Sequence, residues 1–176
     1  MIWPHNNSYL LLTAALFVLG AGILAYKSIE TLDTSAWELR TAAPEAIGSG
    51  EIESGKLDSA IVRLVASYPS ATDETAGPIL SNLCLAYTLK EDYPTAMKFC
   101  ELAIDQPNIG RDTYNNRGVL HALQGQYDAS IKDFENAACT TNCPSNLNQS
   151  QQPPDGVLLR NLARARAQLA AMMDRN

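Results

Sequence analysis

The sequence predicts an all-α protein built of antiparallel helix-turn-helix repeats, closed by a C-terminal capping helix and preceded by an N-terminal apolar helix. Three observations carry that prediction. The chain resembles itself at a fixed interval of 34 residues. Within each repeat the apolar positions recur at helical spacing. An uncharged apolar run stands ahead of them all.

That run, Tyr9 to Tyr26, is 18 residues long, at the lower edge of what crosses a bilayer. Residues 1–26 therefore read in one of two ways. As a signal peptide, the apolar core would be Leu10 to Leu19, with Gly20-Ala21-Gly22 and Ala25 ahead of the cleavage point. As an uncleaved membrane anchor, Trp3, Tyr9 and Tyr26 would sit at the two interfaces. All 13 Lys and Arg follow Tyr26, so the basic start of a typical signal is missing. No Cys stands near the end of the run, which excludes a lipoprotein anchor. Lys27 and Arg40 beyond the run mildly favour a cytoplasmic domain. Against them, four Cys in two plausible pairs point to an oxidising compartment. The cysteines weigh more, and the expectation is an extracytoplasmic location such as the periplasm, free or anchored.

The repeat is visible when Leu80–Asp105 is set against Tyr114–Cys139. Asn82 matches Asn116, Cys84 matches Gly118, Leu89 matches Leu123 and Tyr93 matches Tyr127. Ala96, Met97 and Ala103 match Ser130, Ile131 and Ala137. Each unit reads as two helices separated by a short break. In the first unit Asp92 can cap the second helix, and Pro94 stands in its first turn, where the missing N–H costs nothing.

These residues resemble the tetratricopeptide-repeat (TPR) family, a right-handed stack of antiparallel helix pairs. The family's alternation of apolar, small and aromatic positions reads here as Leu80, Leu83, Cys84, Tyr87, Ala96, Cys100 and Pro107. The next unit supplies Tyr114, Arg117, Gly118, His121, Ser130 and Phe134, with its terminal Pro displaced to Pro144. Small residues at Gly118, Ser130 and Ala137 would let two helix backbones approach closely.

The resemblance extends weakly both ways. Gly55 to Ile61 echoes Gly125 to Ile131, so a degenerate unit precedes the first clear one. Its second helix would run to about Tyr68; its first, from about Ser35, is interrupted by Pro44, Gly48 and Gly50. Downstream, Val157 to Met173 favours helix strongly and would cap the stack. The predicted organisation is then residues 1–26 as signal or anchor, 27–54 as linker and degenerate first helix, and 55–176 as the TPR domain. Its units fall at about 43–76, 77–110 and 111–144, with the cap at 156–174. The loop from Thr140 to Asp155 is polar and Pro-rich, and is expected not to pack.

The chemistry suggests binding, not catalysis. His5 lies in the signal or anchor segment, residues 1–26, and His121 at a packing position; no Ser/His/Asp set, phosphate loop or metal spacing is present. No cofactor is expected. A net charge of −6 argues against nucleic acid, which requires a basic patch. Cys139 and Cys143 fit a local disulfide or two free thiols. By the resemblance, Cys84 and Cys100 face each other across one helix pair, as a bridge or as two small buried hydrophobes.

The resemblance also implies a groove along the first helix of each unit, where a partner peptide or helix would lie. Its lining would be Ser81, Asn82, Leu85, Thr88 and Leu89, then Asn115, Asn116, Val119, Ala122 and Leu123. The cap would add Arg160, Asn161, Arg164 and Gln168. Asn82, Asn116 and Asn161 recur in register, and a carboxamide offers a peptide backbone both a donor and an acceptor. Arg160 and Arg164 could grip an acidic group. The expected function is a protein-binding scaffold or adaptor; the alternative is a structural or assembly subunit held in a membrane complex by the N-terminal helix.

Overall fold

The computed structural model describes residues 37–43, 45–107, 109–139, 143–147, 154 and 156–175. The predicted N-terminal apolar helix lies outside them. Among the described residues no helix is long and apolar enough to cross a membrane.

Among the described residues seven α-helices pack against one another: α1 (Ser49–Glu53), α2 (Leu57–Ser67), α3 (Ala76–Leu89), α4 (Tyr93–Ile104), α5 (Arg111–Leu123), α6 (Tyr127–Ala138) and α7 (Gly156–Met173). A short 3₁₀ turn, Tyr68–Ser70, extends α2 as far as Pro69 allows. The helices pair in chain order, α3 with α4 and α5 with α6, and α7 covers α6. Helices α4 and α6 begin at Tyr93 and Tyr127, and α3 and α5 end at Leu89 and Leu123, each 34 residues apart.

Local chemistry explains these boundaries. The Asp92 carboxylate accepts a hydrogen bond from the Thr95 N–H at 3.3 Å, capping α4, and Pro94 occupies its first turn. Arg111 Nη1 donates to the carbonyls of Ala137 and Cys139, both at 2.6 Å, satisfying the end of α6. Helices α2, α4 and α6 bury one face each, through Ala60 and Leu64, through Ala96, Cys100 and Ala103, and through Tyr127, Ser130, Phe134 and Ala137. Helix α3 is buried on almost every side. Gly118 meets the Phe134 ring so closely that an added Cβ would lie 2.7 Å from Cε1.

Two expectations change. The helix expected from about Ser35 does not continue into the described residues: 37–43 run without helical turns, and among the described residues the helix before α2 is the five-residue α1. Pro44 disfavours a helical Ala43, and Gly48 takes a left-handed φ of 83° to enter α1. A side chain at Gly48 would also strike Leu64, at 2.9 Å. The loop expected to stay unpacked is packed where it is described. Leu147 is buried in a cluster with Ile109, Tyr114, Ala137 and Leu158, and the Ile109 N–H donates to the Asn146 carbonyl at 2.9 Å. Asn146 Nδ2 in turn donates to the Ile104 carbonyl, capping the end of α4. A polar loop is held here because its one large apolar side chain and one carboxamide both find partners.

Candidate functional site

The predicted groove is filled by the chain's own segment Trp37–Ala43. It lies across α7, α5 and α3 in that order, antiparallel to the order of the helices, and is held by side-chain carboxamides. Glu38 donates its N–H to Asn161 Oδ1 at 3.2 Å, and its carbonyl accepts from Asn161 Nδ2 at 2.8 Å and Asn115 Nδ2 at 2.9 Å. Arg40 donates its N–H to Asn116 Oδ1 at 3.0 Å and accepts from Asn116 Nδ2 at 2.6 Å. Ala42 donates its N–H to Asn82 Oδ1 at 2.9 Å, while Asn82 Nδ2 donates to the Ile47 carbonyl at 2.9 Å. Asn161 Nδ2 also donates to Asn115 Oδ1 at 2.9 Å, which fixes the orientation of the pair. All four asparagines are fully buried.

The contacts fall on residues 38, 40 and 42 because an extended chain presents the N–H and C=O of alternate residues to one side. Asn82, Asn116 and the cap's Asn161 stand in register, with Asn115 adding a second bond at Glu38, and the extended segment offers one peptide pair for every two residues. The two periods meet. Buried carboxamides need such partners, since an unpaired amide in the core costs about 1–3 kcal/mol.

Side chains of the segment alternate accordingly. Trp37 is buried, stacked on Phe134 with ring centroids 6.0 Å apart, in a cluster with Val119, Ala122 and Leu162. The Arg164 guanidinium lies over its ring, 5.5 Å from the centroid, at cation–π distance. Leu39 packs between this cluster and the one that includes Leu85. Glu38 forms a two-pronged ion pair with Arg160, at 2.7 and 2.9 Å. Arg40 lies 3.7 Å from Asp112, and Thr41 Oγ1 donates to Glu53 at 3.0 Å. The hydrogen bond from Arg160, opposed by partial desolvation, holds the Glu38 carboxyl below its ordinary 4.5.

The structure therefore brings Asn82, Asn115, Asn116, Asn161, Arg160, Arg164, Val119 and Leu85 together around one peptide. Leu123 packs against the Trp37 cluster as well. Others expected in the groove are placed differently. Leu89 stands exposed at the end of α3, Thr88 Oγ1 bonds back to the Cys84 carbonyl, and the buried Ser81 hydroxyl finds no hydrogen-bond partner among the described residues. Sequence reasoning missed the occupant itself, Trp37 to Thr41. Its signal was a period of two, apolar at Trp37 and Leu39 and charged at Glu38 and Arg40, which reads as strand and not helix.

Both cysteine pairs are bonded: Cys84–Cys100 joins α3 to α4 across a Cα separation of 4.9 Å, and Cys139–Cys143 closes the start of the loop. Such pairs indicate an oxidising environment outside the cytoplasm. His121 packs at the rim, its Nδ1 2.7 Å from Gln126 Oε1 and its Nε2 3.7 Å from Asp133. Among the described residues no cluster of His, Cys, Asp and Glu could hold a metal. No family model, curated protein or solved structure matches the chain.

Proposed function

We propose that the chain is a TPR-type interaction module of an extracytoplasmic compartment, a scaffold or adaptor whose groove takes an extended peptide by its backbone. The observation that carries this reading is the register of Asn82, Asn116 and Asn161 against alternate residues of the segment. Carboxamides that grip main-chain groups accept many sequences, which suits recognition of a partner. The 34-residue spacing of the helix pairs supports a TPR stack, and the two disulfides support the periplasm or a comparable space. No catalytic role is assigned.

One observation favours a second reading. The groove is already occupied, as it would be in a structural subunit whose repeats only brace the N-terminal segment. The two separate in the native host. A photo-crosslinking residue at Leu123, which packs beside Trp37, is expected to capture an extended segment of a second protein as well as residues 37–43. Crosslinks to residues 37–43 alone, in intact cells, would assign the groove to internal bracing.

A further inference from the structure

Resting on that reading, we propose that Trp37–Ala43 is a resident ligand, displaced by a partner peptide that copies its pattern: aromatic, acidic, aliphatic, basic at successive positions. The main-chain contacts do not depend on which residues the strand carries, so selection falls to the four side chains of Trp37, Glu38, Leu39 and Arg40. Each meets a distinct feature. An aromatic fills the pocket floored by Phe134 and covered by the Arg164 guanidinium. An acidic group meets the fork of Arg160, an aliphatic one seals the seam between two core clusters, and a basic one faces Asp112. The order of charges along the groove, cationic at α7 and anionic at the start of α5, fixes the direction in which a peptide can lie.

The segment is also placed to be exchanged. Of its residues only Trp37 is buried; Glu38 through Ala43 are half-buried at the surface. It is joined to α1 by a few residues, so its effective concentration at the groove is on the order of millimolar, and a free peptide must compete with it. The apparent affinity of a partner is lowered by the fraction of time the groove is self-occupied.

The test uses the full chain and a fluorescent nonapeptide copying residues 35–43, Ser-Ala-Trp-Glu-Leu-Arg-Thr-Ala-Ala, followed by anisotropy. Wild-type protein is expected to bind it weakly. Leu39→Asp, which loosens the resident segment, should bind at least about tenfold tighter, and Trp37→Ala should do the same by another route. A peptide with its Glu and Arg exchanged should bind the loosened protein several-fold more weakly at low salt, a difference that Arg160→Ala removes. Equal binding of the two peptides would overturn the charge pattern while leaving a peptide groove in place. Dimers of Leu39→Asp without added peptide would assign the groove to a second copy and overturn the proposal. No peptide binding by either variant, both folded by circular dichroism, would overturn the groove reading itself.

Discussion

The two helix pairs answer the same structural problem with different chemistry. Cys84 and Cys100 in α3/α4 occupy the positions that Gly118 and Phe134 occupy in α5/α6, 34 residues on. In the first pair they form a disulfide; in the second a ring sits against a bare Cα. One step further out, Tyr87 stacks on Phe99 with centroids 5.4 Å apart, whereas the matching His121 and Asp133 lie 3.7 Å apart. Arg117 completes the second set with two 2.7 Å hydrogen bonds to the Asp133 carboxylate. Through these exchanges the asparagine is kept, as Asn82 and Asn116, and each holds the extended segment. Between these two pairs the closure differs, and the carboxamide that meets the peptide is the same.

Substitutions separate the two solutions by size. Phe134→Ala should cost about 3–5 kcal/mol, because it empties a core site and removes the ring on which Trp37 stacks. Denaturant melts should show it as the largest loss. Cys84→Ala combined with Cys100→Ala should cost about 3 kcal/mol, the usual value for opening a covalent loop of this length. Its effect belongs to the first pair, so protection of α5 and α6 amides below global unfolding should change little. Gly118→Leu should cost about 1–3 kcal/mol or more, since even a Cβ there collides with Phe134. Combined with Phe134→Ala its cost should shrink, because the two share one space. An unchanged melting temperature for Gly118→Leu would contradict the close approach in the second pair.

The smallest effect is electrostatic and lies outside both pairs. Glu38 is held below its ordinary 4.5, chiefly by the hydrogen bond from Arg160. A depressed carboxyl stabilises above its unfolded value and loses that contribution as pH falls through the folded one. Wild type should therefore lose a little stability below about pH 4.5 that Glu38→Gln does not lose. The difference is small because both side chains reach solvent, which screens the pair.

Much of this arrangement was legible in the sequence, and for physical reasons. Helix periodicity and capping are local, so the Asp92 cap and Pro94 in the first turn of α4 could be placed from the residues alone. The recurrence of Asn82, Asn116 and Asn161 could be seen too, because a fixed repeat carries each to the same face. The occupant was not legible. The hydrogen bonds that place the segment are not local: their partners lie 76 residues away for Arg40 and 123 for Glu38. Read as a failed helix, the segment lost its own clue, the alternation from Trp37 to Arg40. The loop was misjudged for a related reason. Composition marks Thr140 to Asp155 as polar, while single side chains, Leu147 in the core cluster and Asn146 at the end of α4, hold its described part.

The central claim is that buried asparagines hold alternate residues of an extended segment by the backbone. Amide hydrogen exchange resolved by residue tests it most directly. The N–H groups of Glu38, Arg40 and Ala42 should exchange slowly and those of Leu39 and Thr41 fast, and Asn116→Ala should release Arg40 before the others. Uniformly fast exchange from Glu38 to Ala42, or slow exchange at Leu39 and Thr41 instead, would contradict it.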